Sequence, residues 1–79
     1  MKTLDSLKPG ARGVVRGFTD GSHAVRRLLE MGLTEGEPVE VLAVAPLGDP
    51  MEVRIRGYQL SLRKSEAKLV QIDEGDRSG

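Results

Sequence analysis

The segment from Met51 to Leu62 constrains the fold of this chain more than any other. Met51, Val53 and Ile55 alternate with Glu52, Arg54 and Arg56, a period of two that an extended strand projects onto one face. Arg56-Gly57 then reads as a two-residue hairpin turn, pairing Ile55 with Tyr58, Val53 with Leu60 and Met51 with Leu62. All of these apolar side chains fall on one face, which goes to the core. Shifting the register by one residue breaks that pattern, so the alternation and the turn specify the same pairing.

The rest of the chain supplies partners for this hairpin. Gly13 to Phe18 is a short β-branched run between two turn signals, Pro9-Gly10 and Thr19-Asp20-Gly21, and reads as the first strand. Pro38 to Ala45 is apolar at almost every position beyond Glu40 and reads as a central strand covered on both faces for much of its length. Pro46-Leu47-Gly48-Asp49-Pro50 is the turn from it into the hairpin. Leu69 to Ile72 makes a last short strand that closes on the first.

Between the first strand and the central one the periodicity changes. Ala24, Val25, Leu28, Leu29 and Met31 fall at helical spacing, with His23, Arg26, Arg27 and Glu30 largely opposite them. Ser22 is placed to cap this helix, and Gly32 to take the left-handed conformation that folds Leu33 back on Leu28 as in a Schellman motif. Arg63 to Ala67 suits a single helical or 3-10 turn. The expected architecture is mainly β: a small SH3-like barrel of five to six short strands, with one inserted amphipathic α-helix (about Ser22 to Met31) and a short 3-10 turn before the last strand. The domain is expected to span residues 1–73, followed by a disordered polar tail, 74–79.

At 79 residues the chain has room for one core. Twelve Lys and Arg balance twelve Asp and Glu, so no net field draws it to nucleic acid or to an anionic membrane, and a charged partner has to be read by a local patch. The absence of Cys excludes a disulfide framework, a thiolate metal site and a thiol nucleophile, and makes a reducing cytoplasm the natural setting. The N-terminus lacks a continuous apolar stretch of the export-signal kind, and no run of about 18 apolar residues occurs.

The residues that bear chemistry are few. The sole His, His23, stands at the helix start near Asp20, with no second His or Cys to complete a zinc set, and a first-turn His of this kind is ordinarily surface. Met31 and Met51 fall on the apolar periodicities and read as core instead of soft ligands. Ser6, Ser22, Ser61 and Ser65 have one His among them and no G-x-S-x-G setting, so nucleophilic catalysis has no constellation here. Glu35, Glu37 and Glu40 read as a solvated face. Basic residues are the more informative group: Arg54 and Arg56 share the non-core face of one strand, Arg63 and Lys64 follow its hairpin partner, and Arg26 and Arg27 lie on the helix. The exposed side of the helix, with Arg26, Arg27 and Glu30, is the candidate partner-binding surface, with Arg54 and Arg56 as a further docking patch and Leu47 as a candidate edge for self-association.

Taken in order, Arg27-Leu28-Leu29-Glu30-Met31-Gly32-Leu33, then Gly36, Val39 and Val41, the Asp49-Pro50 turn, and Gly57-Tyr58-Gln59-Leu60-Ser61-Leu62-Arg63 resemble the FeoA family, small cytoplasmic accessories of bacterial ferrous-iron uptake. The resemblance runs from about Leu4 to Ile72, and its specificity lies in the ordered combination of the pieces. Leu28, Met31, Gly32 and Leu33 already have a structural account as the helix's buried stripe and C-cap. The resemblance implies an SH3-like barrel that acts with FeoB, a membrane permease carrying a cytoplasmic GTPase domain, as an activator, stabiliser or assembly factor. Such a protein is not an enzyme, is peripheral to the membrane through the permease, and needs no cofactor; no ligand set for ferrous iron or another divalent metal is visible. A similar domain ends the iron-dependent repressors resembling DtxR, attached to a DNA-binding winged helix; nothing precedes Met1 here, so a stand-alone protein is expected.

Two other functions compete with this one. The first is a metal-binding or metal-sensing module built on His23 and Asp20. The second is a small-barrel nucleic-acid binder using Arg54, Arg56, Arg63 and Lys64, against which count the absence of net positive charge and of stacking rings.

Overall fold

Arg56 and Gly57 both take positive φ, 47° and 84°, the pair of left-handed residues whose twist matches that of the strands they join. The computed structural model, in which residues 2–74 are described, places the strands Met51–Ile55 and Tyr58–Leu62 on either side of them in the expected register. Met51 stands opposite Leu62, Val53 opposite Leu60 and Ile55 opposite Tyr58.

In chain order the elements are β1 (Lys2–Thr3), a 3-10 turn (Leu4–Ser6), β2 (Arg12–Phe18), α1 (His23–Glu30), β3 (Pro38–Val44), β4 (Met51–Ile55), β5 (Tyr58–Leu62), α2 (Lys64–Ala67) and β6 (Val70–Asp73). The strands form one antiparallel sheet in the order β1-β6-β2-β3-β4-β5, the mainly β, SH3-like arrangement read from the sequence. The last strand pairs with β2, as expected, and with β1 on its other side. Residues 75–79 of the expected tail lie outside the described residues; Glu74 pairs with Lys2 at 3.1 Å. The segment before β6 is a one-turn α-helix, and the 3-10 turn is at the N-terminus instead.

That N-terminal segment was not legible as structure, because two strand residues and one turn carry no measurable periodicity. Tertiary contact orders it: Leu4 and Leu7 are buried in the core beside Val15, Leu28, Val41, Val53 and Ile72. α2 packs against both the 3-10 turn and α1, with Ala67 buried.

The central strand departs from expectation. In β3 only Val39 and Val41 are buried; Pro38 and Ala43 are exposed, and Glu40, Leu42 and Val44 are partly covered. The reason is that the outer face of the sheet is charged. Arg12 of β2, Glu40 of β3, Arg54 of β4 and Gln59 of β5 stand opposite one another in a row across four strands.

α1 ends as its sequence requires. Gly32 takes φ 109°, the Leu33 N–H donates to the Leu28 carbonyl at 3.1 Å, and the Gly32 N–H donates to the Leu29 carbonyl at 3.0 Å, the paired bonds of a Schellman motif. Leu28 and Leu33 are both fully buried. Its start differs in detail: Ser22 occupies the N-cap in extended conformation, but its side chain makes no capping bond, and its N–H instead donates to Asp20 Oδ1 at 3.0 Å. The buried stripe is narrower than the spacing suggests, comprising Val25 and Leu28. Leu29, about 100° further round the helix, lies beyond its edge and is exposed.

Candidate functional site

Pieces of the sequence motif that are separate along the chain meet in space. The Tyr58 hydroxyl donates to the Met31 carbonyl at 2.5 Å, spanning 27 residues of sequence. In doing so it lies across Gly32, where a Cβ would stand 2.8 Å from Tyr58 Oη and 3.1 Å from Ile55 Cδ1. The first residue of β5 is thus clamped on the last turn of α1, and only glycine fits beneath it. Tyr58 and Leu60, expected on the core face, line its margin: Leu60 is partly buried, and Tyr58 is half-exposed because its hydroxyl reaches out to the helix end.

A second set of contacts ties the Asp49-Pro50 turn to α2. Asp49 Oδ1 accepts the Lys64 N–H at 3.1 Å and stands 3.7 Å from Arg63 Nη1. Glu66, three residues after Arg63, turns back so that its Oε1 accepts the Arg63 N–H at 2.8 Å, a donor that the helix itself leaves unsatisfied. The other oxygen of Glu66 lies 3.3 Å from Arg27 Nη2 on α1. One carboxylate therefore caps α2 and joins the two helices.

Between these elements lies an open cleft of about 480 Å³, lined by Arg27, Pro50, Ser61, Leu62, Arg63 and Glu66. Of the residues singled out from the sequence, Arg27 and the motif residues Pro50 and Leu62 come together here, while Arg26 and Glu30 stay exposed on α1 without an ion-pair partner among the described residues. Arg54 and Arg56 border a shallower hollow of about 260 Å³ on the charged sheet face. There each meets a carboxylate from the set read as merely solvated: Arg54 Nε lies 3.7 Å from Glu40 and Arg56 Nε 2.9 Å from Glu37. Leu47 sits at the tip of the β3–β4 turn and is 91% exposed.

His23 opens α1 on the surface, and the carboxylate of Asp20 is engaged with the Ser22 amide. Among the described residues no group of three or more His, Cys, Asp or Glu side chains is placed to hold a metal ion. Nor is any helix among them long and apolar enough to cross a membrane. Glu66 is the site residue that sequence reading passed over. The signal was there, a Glu at the third helical position after Arg63, but its second contact, across to Arg27, exists only after α1 and α2 have packed.

Fold and site together define a small SH3-like β domain with one surface helix clamped to the β4–β5 hairpin and a charged cleft beside it. The chain belongs to the FeoA family: the model of the FeoA domain matches residues 2–74. It is 40% identical over 70 residues to the Fe(2+) transport protein A/Fe(2+) transporter FeoB fusion protein of Porphyromonas gingivalis, an alignment that takes in 89% of this chain and 8% of that relative's length. Among solved structures, a FeoA-like protein from Clostridium acetobutylicum superposes with a TM-score of 0.87 at 33% identity, covering 100% of this chain and 95% of that one. FeoA of Stenotrophomonas maltophilia, a procaryotic SH3 domain protein solved in complex with zinc, gives 0.82 at 35% identity over 92% and 91%. A manganese-dependent transcriptional repressor, at 19% identity over 36% of its length, shares the fold alone. The family is one of ferrous-iron transport.

Proposed function

We propose that this domain is a non-catalytic accessory of bacterial ferrous-iron uptake that binds a FeoB-type permease, one carrying a GTPase domain, on its cytoplasmic side. The observation that carries the reading is the Porphyromonas gingivalis protein, in which a segment 40% identical to this chain is joined covalently to a FeoB transporter. Covalent linkage holds a domain near its partner at an effective concentration in the millimolar range. Beyond any such linkage, specific association needs a binding surface on the domain itself. The exposed side of α1 is that surface in our reading, with Arg26, Arg27 and Glu30 at its centre and Leu47, Arg54 and Arg56 as outlying contacts.

The test is co-purification of the domain with the permease from the same organism, together with ferrous-iron uptake in a deletion strain. Retention with the permease and impaired uptake are expected, and reversing the charges at Arg26 and Arg27 should weaken association about tenfold. No association and no uptake defect would sink the proposal.

A second reading, a metal-binding or metal-sensing module, is favoured by the zinc complex of the Stenotrophomonas maltophilia relative. It requires measurable zinc or ferrous-iron affinity that His23→Ala abolishes; calorimetry without heat of binding excludes it.

A further inference from the structure

We infer that the free edge of β5 is a homodimer interface, on which β5 of a second copy pairs antiparallel about a two-fold axis beside Leu60. The inference goes beyond the permease reading and uses no part of it. The sheet ends in β1 on one side and in β5 on the other. β1 is two residues long, with Lys2 ion-paired to Glu74, the short and charged kind of edge that resists strand addition. β5 has none of these guards. Tyr58-Gln59-Leu60-Ser61-Leu62 is uncharged and free of proline, and it pairs with β4 without a bulge, whereas β2–β6 and β3–β4 each carry a shift of register. Among the described residues β4 is the only element that β5 touches more than marginally, and the open cleft flanks Ser61.

Hairpin geometry determines which backbone groups are free. Across a two-residue turn Ile55 and Tyr58 exchange both N–H···O bonds, and the exchange recurs at every second pair, Val53 with Leu60 and Met51 with Leu62. The N–H and C=O groups of Gln59 and Ser61 therefore point away from β4, and no turn or helix among the described residues takes them up. The edge stops there, because the next outward N–H, that of Arg63, is donated to Glu66.

These groups select both the occupant and the register. When two copies of β5 lie antiparallel with Gln59 of each opposite Ser61 of the other, each such pair exchanges both bonds and every free group is satisfied. A slip of two residues sets Ser61 against Gly57 of the turn, or Gln59 against Arg63, whose N–H is spent. In the favoured register Leu60 faces Leu60 of the second copy as a non-hydrogen-bonded pair, the closer kind, and its partly exposed side chain gains cover. No charged residue falls inside the seam; the nearest, Arg56 and Arg63, lie beyond its ends, each beside a carboxylate, Glu37 and Asp49. A seam of five residues a side falls short of the about 20–30 a side of a standard interface, so the dimer is a weak one, with a Kd of about 0.1–1 mM.

NMR diffusion on the full chain from about 10 μM to about 1 mM should show a reversible monomer–dimer equilibrium. Ser61→Pro removes an outward N–H without breaking a ladder bond to β4, so it should keep the fold and weaken the dimer at least about tenfold. Charge pairs test the register. Gln59→Glu with Ser61→Lys sets opposite charges across the seam, and also opposite Arg54 and Glu52 within each copy, and should dimerise at least as well as the unaltered chain. Gln59→Lys with Ser61→Lys sets lysines against each other and should abolish dimerisation, while Leu47→Asp at the β3–β4 turn should change nothing. Circular dichroism checks the fold of each variant. A chain that stays monomeric at about 1 mM, a dimer that survives Ser61→Pro or the double-lysine change, or a dimer lost in Leu47→Asp would overturn the inference. So would a monomer whose Gln59 and Ser61 amides gain exchange protection only when a foreign protein is added, since the edge would then belong to a different strand.

Discussion

Gly32 and Gly57 both hold positive φ, 109° and 84°, yet they answer to different constraints. Around Gly57 there is open space, so Gly57→Ala should cost only the backbone penalty, about 1 kcal/mol. At Gly32 an added methyl meets Tyr58 Oη and Ile55 Cδ1 as well, and Gly32→Ala should cost about 2–4 kcal/mol. Urea denaturation of the two variants measures the difference. In a Tyr58→Phe background the Gly32→Ala cost should shrink by about 1 kcal/mol, because the crowding hydroxyl is gone. Equal midpoint shifts for the two glycines, with no coupling to Tyr58, would refute the clamp between hairpin and helix. The C-cap role of Gly32 was readable because capping signals are local. Its crowding by Tyr58 was not, since that contact joins residues far apart in sequence.

At the scale of elements, Glu66 is where the two helices depend on each other. Glu66→Ala removes the acceptor for the Arg63 N–H and the anchor of Arg27, and should destabilise the domain by about 1–2 kcal/mol. Glu66→Gln keeps an acceptor in place and loses only an ion pair whose arginine is largely exposed, so its effect should be about 0.5 kcal/mol or less. Chemical denaturation ranks the variants, and amide exchange in α2 should accelerate in the alanine form; a glutamine variant as damaging as alanine would place the stabilisation in the charge instead of the cap. Elements with their own signal were legible: the β4–β5 hairpin register followed from alternation and turn, and α1 from spacing and its stop at Gly32. The cover of β3 was misjudged because a run of apolar residues states what a strand tolerates, while its neighbours Arg12 and Arg54 decide which face meets water.

Across the whole molecule, the least conspicuous segment does much of the closing. β1 adds a strand beyond β6, and Leu4 and Leu7 fill the core where α2 and the 3-10 turn meet. Leu4→Ala should therefore destabilise by about 2–4 kcal/mol, lowering the melting temperature by about 8 °C or more. Leu47→Ala, at a side chain 91% exposed, should leave it within a degree or two, by the same area argument. Thermal melts followed by circular dichroism separate the two; comparable shifts would mean that the N-terminal segment is not part of the cooperative core.

By itself the sequence determined what short-range physics can encode. A strict two-residue alternation about a turn specified the hairpin, helical spacing and a glycine stop specified α1, and the ordered motif pointed to the FeoA family. The tertiary structure alone decided which of those residues meet. Only packing brings Tyr58 onto Gly32, Asp49 onto α2, and Glu66 between Arg63 and Arg27, because each contact depends on the relative placement of elements. The cleft that those contacts build is a property of that placement and has no signature in the linear order of residues.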